Sequence, residues 1–243
     1  MNTMRFLLCM LFVVNISHVA ARPTDIYLVI YTTHDGHTGH VGLAVDNYTI
    51  AVRDTIINRV KTTYNDTIRT LSLTYFDLWG PAEIRWDEHD DNLASRYFTL
   101  PRSSAETRIT ADYLLTRGLP HSYDYPCDAL VRLRTSPMMD ARLKEIVAGI
   151  QEERPYFNSR EYNCTDFVLL CLNRLLHTSL DAKEYIPFTW SSTPNEFYKT
   201  VVAQLPVQII KAAGDEVEKS FVQERLINSV LFNQSTHHEK TND

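Results

Sequence analysis

The stretch Tyr162-Asn163-Cys164-Thr165-Asp166-Phe167-Val168 constrains the fold more than any other. Asn163 is a strong helix cap, and apolar side chains then recur at Phe167, Val168, Cys171, Leu172 and Leu175. Spacings of three and four align them in one stripe, so the sequence predicts an amphipathic helix with Cys164 in its first turn. Free amides and the helix dipole favour an anion there, which lowers a thiol pKa and makes a nucleophile. The plainer reading is a small residue buried at a helix start.

The chain's export signals decide what a cysteine can be. Residues 1–21 read as a secretory signal: Arg5, then the short apolar run from Phe6 to Val14, then small residues at Val19-Ala20-Ala21. That run is too short to span a bilayer, and no later segment is long and apolar enough. The expected address is secreted or periplasmic. Beyond the signal, residues 22–233 read as a single domain and 234–243 as a polar, disordered tail. The formal charge of −6, with no basic run, argues against nucleic acid as a partner. Three cysteines follow the signal: Cys127, Cys164 and Cys171. An odd number leaves at least one thiol free or bonded between chains. Cys164 and Cys171, about 10 Å apart along a helix, cannot form a disulfide with each other. Sequons stand at Asn47, Asn65, Asn163 and Asn233. A glycan on Asn163 would smother the thiol beside it.

In chain order, Asp25–Thr32 reads as a strand, followed by a turn-rich loop. His40–Val45 is a second strand, turned back at Asp46-Asn47 into Tyr48–Asp54, so a β-meander is expected. Residues 55–70 are too polar to assign. Strands are expected at Thr70–Trp79, Ile84–Trp86 and Arg96–Leu100, with a solvated acidic loop at Asp87–Asp91. A helix should begin near Ser103 or Ser104 and end at Gly118. Ala129–Leu133 is a short strand. Ser136-Pro137 opens a helix to about Arg154, and Thr193-Pro194 opens another. Leu180–Ser192 reads as irregular, Val207–Ile210 as a strand and Asp215–Phe232 as an amphipathic helix. The fold class expected is α+β.

A thiolate needs a base. His40 opens a strand, and a rigid strand can aim an imidazole at a neighbouring helix terminus. A third polar group must set its tautomer, and it should come from the adjacent strand. Asp54, at the end of Tyr48–Asp54, is the candidate, with Asp46 behind it. The expected catalytic set is therefore Cys164, His40 and Asp54.

Gly39-His40-Val41-Gly42-Leu43-Ala44-Val45, Tyr156-Phe157-Asn158, Tyr162–Val168 and Thr193-Pro194-Asn195-Glu196-Phe197-Tyr198 resemble the circularly permuted NlpC-type cysteine hydrolases, a group that takes in YiiX-like and lecithin:retinol acyltransferase-like proteins. The resemblance covers roughly residues 25–55 and 135–205. It implies a permuted papain-like fold in which an antiparallel sheet packs on the cysteine helix, here with extra strands and a C-terminal helix. It also implies that His40 and Cys164 are the family's histidine and cysteine, with the third polar residue on the strand after the histidine. The chemistry implied is an acyl-enzyme formed by a thiol. The block Tyr75-Phe76-Asp77-Leu78-Trp79 has no counterpart in the resemblance and reads as sheet extension, since aromatics at strand spacing are usually core.

The favoured reading is a secreted thiol hydrolase for peptide or amide bonds that uses no cofactor. One alternative is a lipid acyltransferase or thioesterase on the same scaffold, acting on an acyl lipid. A second is a non-catalytic binding domain. A third places zinc on His34, His37 and His40, whose intervening glycines permit a tight loop.

Overall fold

A computed structural model describes residues 22–34, 38–57, 59–81, 93–100, 108–119, 125–186 and 189–218. Its centre is a six-stranded sheet. In chain order the strands are β1 (Thr24–Tyr31), β2 (His40–Ile57), β3 (Val60–Trp79), β4 (Arg96–Leu100), β5 (Ala129–Thr135) and β8 (Val207–Lys211). They lie side by side as β4-β3-β2-β1-β5-β8, and each neighbouring pair is antiparallel. A separate hairpin joins β6 (Lys183–Ile186) to β7 (Thr189–Ser192). The architecture is α+β, as expected. Among the described residues no helix is long and apolar enough to cross a membrane.

Period-two alternation divides the sheet into two faces. Ile26, Leu28, Ile30, Val41, Leu43, Val45, Phe76 and Leu78 face the helices α2 (Pro137–Glu153), α3 (Cys164–Leu176) and α4 (Pro194–Gln204) in the larger core. Tyr27, Val29, Tyr31, Ala44, Leu73 and Tyr75 face the other way, against Leu114 of α1 (Ala111–Thr116). The large core is continuous from sheet to helices, so α3 is held rigidly over β2 and β3.

Local side chains start the helices where the sequence says they should. Ser136 caps α2 with Pro137 next, and Thr193 caps α4 with Pro194 next, each hydroxyl accepting an amide of the first turn. α1 is a correction: its cap is Thr110, not Ser103 or Ser104. The expected strand Ile84–Trp86, the acidic loop, the signal, the tail and most of the expected helix Asp215–Phe232 lie outside the described residues. Residues 215–218 form a short 3-10 turn. Leu180–Ser192 is not irregular but contains the β6–β7 hairpin.

The largest correction concerns β2. Asp46-Asn47 is not a turn. It is a register shift within one continuous 18-residue strand, which pairs with the 20-residue β3 down to Ile57 and Val60. A bulge and a turn draw on similar residues, and only the partner strand distinguishes them. The residues left unassigned are this ribbon's outer half.

Candidate active site

The first turn of α3 is built by Asn163. Its Oδ1 accepts the Thr165 amide at 2.8 Å and the Asp166 amide at 3.3 Å, while Asp166 Oδ2 accepts the Asn163 amide at 3.1 Å. This is a reciprocal capping box. The Asn163 Nδ2 donates to Ser159 O at 3.1 Å, Ser191 Oγ at 3.3 Å and Ser192 O at 3.0 Å. Ser192 Oγ donates to Asp166 Oδ1 at 2.6 Å. The turn is thereby pinned to β7. The Phe167 amide takes Asn163 O, so the Cys164 amide is the one in this turn that the cap does not use. Asn163 is only 9% exposed and its amide is committed, which leaves no room for a glycan in the fold.

Cys164, half-buried, is the first residue of α3. Its sulfur meets the His40 imidazole in a hydrogen-bonded contact, and the Val41 amide donates to it. The Thr165 hydroxyl is buried without another partner among the described residues and lies near enough to assist. Burial alone pushes the thiol up. The His40 charge and its hydrogen bond outweigh burial, so the Cys164 pKa falls below the ordinary thiol range. At Cys127 and Cys171 the balance is reversed: burial outweighs the charges of Lys211 and Arg174 and pushes each thiol up to about 12. All three thiols are free.

His40 begins β2 directly after Gly39, whose φ of +73° and tight approach to Tyr31 suit glycine alone; a Cβ there would stand 2.7 Å from Tyr31 O. The ring is buried, and its Nε2 lies 3.0 Å from Asp77 Oδ2. With Nε2–H directed at Asp77, Nδ1 is the nitrogen left to exchange a proton with the sulfur. Burial by itself lowers the His40 pKa. The neighbouring Cys164 charge, with Asp77 beside it, overrides burial and raises the value to about 9. Thiol down and imidazole up point the same way: each group favours the charged form of the other.

Asp77 is fully buried on β3. Besides His40, its Oδ2 accepts the Tyr75 hydroxyl at 3.1 Å and the Trp79 indole N–H at 2.8 Å. The Trp79 ring also stacks on the imidazole, with centroids 4.2 Å apart and planes 25° from parallel. The β2–β3 register, continued from Leu43↔Phe76, sets Trp79 opposite His40 and Asp77 beside it on the same face. Gly42 makes the arrangement possible, since a Cβ at that position would lie 2.0 Å from the Tyr75 hydroxyl oxygen.

The expected pair Cys164 and His40 thus stands together, and the expected third member does not. Asp54 is exposed, fourteen residues along the same strand as His40. It is bound to Lys61 at 2.8 Å and Thr63 at 3.0 Å, which hold its carboxyl below the usual range. The correction follows from the bulge: Tyr48–Asp54 is not the adjacent strand but a continuation of the histidine's own. Asp46 is also elsewhere, accepting the Asp25 amide at 2.8 Å and pairing with Arg69 at 2.6 Å. The group at His40 is Asp77, from the block read as sheet extension. One signal for it is in the sequence: a carboxylate set between aromatics at Tyr75 and Trp79 in the apolar end of β3.

Two of the three histidines of the zinc alternative are described, each against a carboxylate. His34 Nε2 lies 3.4 Å from Asp128, His40 faces Asp77 and Cys164, and His37 is outside the described residues. Among the described residues, no group of three or more His, Cys, Asp or Glu is arranged to hold a metal. Comparison of the chain with protein-family models, curated proteins and solved structures returns no match.

Proposed function

We propose that this chain is an exported thiol hydrolase that cleaves peptide or amide bonds through an acyl-enzyme, on a permuted papain-like scaffold. The single observation that carries the reading is the Cys164–His40–Asp77 array, a helix-terminal thiol joined to a buried imidazole that a buried carboxylate orients. The order of parts also supports it, with the histidine strand preceding the cysteine helix and the third group on the next strand.

The steps follow from the charges. The Cys164 thiolate adds to the substrate carbonyl carbon, and the carbonyl π electrons move onto oxygen. The Cys164 amide and the α3 dipole would stabilise that oxyanion. Collapse breaks the C–N bond, and the His40 imidazolium protonates the departing amine, leaving a thioester on Cys164. Neutral His40 then takes a proton from water as the water oxygen attacks the thioester. The second collapse releases the acid and restores the thiolate–imidazolium pair.

A second reading, transfer or hydrolysis of an acyl lipid, is favoured by one observation. Tyr185 and Trp190 are 55% and 61% exposed and pack edge to face on the hairpin whose next residues hold Asn163. An aromatic pair beside the site suits an amphiphile.

The test is selective alkylation. Near pH 6, iodoacetamide should modify Cys164 at least tenfold faster than it modifies a free thiol, and His40→Ala should remove the advantage. Equal rates at all three thiols would refute the proposal. Peptide amides and acyl esters offered side by side, with the Cys164 adduct identified by mass, separate the two readings.

A further inference from the structure

Asp77 and His40 account for the orientation of the base, but not for the aromatic side chain that touches both. We propose that Trp79 is the positioning residue of this site: its ring face supports the charged form of His40, and its N–H fixes the Asp77 oxygen that orients the imidazole. The inference rests on the Cys164–His40–Asp77 reading and assigns a role that the reading does not require.

Three observations carry it. The stacking is close and nearly parallel, at 4.2 Å and 25°. An imidazolium over an indole face is attracted by the ring's quadrupole, and a neutral imidazole much less so, so the contact favours the protonated ring. The indole N–H reaches Asp77 Oδ2 at 2.8 Å, the same oxygen that lies 3.0 Å from His40 Nε2. Finally, Trp79 is half-buried while His40 and Asp77 are buried, so the indole is the member of the three that meets solvent. A bland core tryptophan would need none of these registrations. Other groups surround His40 as well: Cys164 from α3 and Asp77 from β3 act on it directly, Tyr75 donates to Asp77, and Tyr31 is its register partner on β1. They all remain when Trp79 is changed, so an effect of that change belongs to Trp79.

The experiment follows two pH limits in the full chain. The acid limit is thiolate formation, read from the iodoacetamide rate at Cys164. The basic limit is loss of the imidazolium, read from the nitrogen resonances of His40, which are identified by their disappearance in His40→Ala. Trp79→Leu removes both the ring face and the N–H. It should raise the acid limit and lower the basic limit, each by about half to one and a half pH units. Trp79→Phe keeps a ring face and loses the N–H. It should leave the limits within about 0.3 unit while slowing the reaction about three- to tenfold, as orientation is lost.

Fluorinated tryptophans, incorporated into a chain carrying Trp86→Phe and Trp190→Phe, weaken the ring face without changing its shape. The basic limit should then fall stepwise with fluorine count, which keeps the proposal testable should Trp79→Leu fail to fold. Unchanged limits in folded Trp79→Leu, or a flat fluorine series, would overturn it. Such a result, with wild-type Cys164 still reacting selectively, refutes the role of Trp79 alone. Loss of selectivity in the wild type refutes the active-site reading beneath it.

Discussion

The two halves of the β2–β3 ribbon are made of the same two strands and present the same chemistry to different effect. At the root, residues 40–45 and 73–79 are flanked by β1 on one side and, from Tyr75, by β4 on the other. Beyond Asp46, residues 48–57 and 60–69 pair, among the described residues, only with each other and form an arm. The root carries Asp77, fully buried and bonded to His40, Tyr75 and Trp79. The arm carries Asp54, exposed and paired with Lys61. An aspartate on a strand is a common thing. Neighbours on both sides of the ribbon remove water from one aspartate and leave the other solvated. Only the dry one can hold an imidazole against a thiol.

The sharpest way to break this comparison is to neutralise each aspartate in turn. Asp77→Asn keeps the shape but offers an amide where His40 needs an anion. Hydrolytic turnover should fall by about two to four orders of magnitude, as when the orienting carboxylate of a triad becomes an amide. Asp54→Asn should change turnover by less than about twofold, because an exposed ion pair contributes little. Steady-state rates of the two purified variants decide it. Comparable losses in both would return Asp54 to the site.

Between root and arm sits a clasp that shows what buried charge does when no reaction depends on it. Arg69 reaches Asp25 at 2.9 Å and Asp46 at 2.6 Å, with Arg132 3.7 Å from Asp25, and both aspartates are buried. Here the cations are guanidiniums, which do not titrate, so the charges stay fixed. At the root the cation is an imidazole facing a thiol, so the charge can move. Arg69→Met should destabilise the fold by about 3 kcal/mol at neutral pH by stranding two buried carboxylates.

The pH dependence of that loss has a definite sign. Desolvation already raises the Asp46 pKa above its ordinary value in spite of Arg69. Without Arg69 it rises further, so the native state binds more protons than the unfolded state above about pH 4. Stability then declines as pH rises through that window, and the variant's deficit should be larger at pH 8 than at pH 5. Urea titrations at the two pH values measure this. A deficit that is flat with pH would show that the carboxylates are not stranded.

What was legible in the sequence divides along the same line. Helix starts depend on one side chain and the turn it caps, so Asn163, Ser136 and Thr193 could be read directly. Cys164 and His40 were legible because each is fixed by its position at the end of an element. The β3 side of the arm was not, because Lys, Thr, Asn, Asp and Arg dominate residues 61–69 and blur the period; on the β2 side Tyr48–Asp54 reads as a strand, but as a separate one. The sequence points to Asp54, with Asp46 behind it, and not to Asp77, because a strand partner cannot be read from one strand. Asp46-Asn47 has the residues of a turn, and only β3 running past it makes it a bulge. The hairpin β6–β7, four residues a side, is too short to carry a pattern.

The smallest expected effect lies at the arm's far surface, where Ile50, Val52 and Ile56 are 56%, 69% and 74% exposed on one face. Asn65 is exposed directly across from Val52 and belongs to one of the sequons, whereas Asn163 is locked in the α3 cap. If the chain passes through a eukaryotic secretory pathway, Asn65 should carry a glycan and Asn163 should not, as peptide mapping before and after glycosidase would read directly. Asn65→Gln should shift stability by no more than about 0.5 kcal/mol and leave Cys164 alkylation unchanged, since Asn65 is exposed and far along the ribbon from His40. Its effect should appear only as increased self-association at high concentration, because an uncovered apolar strand face beside open edges is a site of pairing. A glycan on Asn163 in folded, fast-alkylating protein would contradict the packing of the cap, and with it the reason the root of the ribbon, and not the arm, faces the thiol.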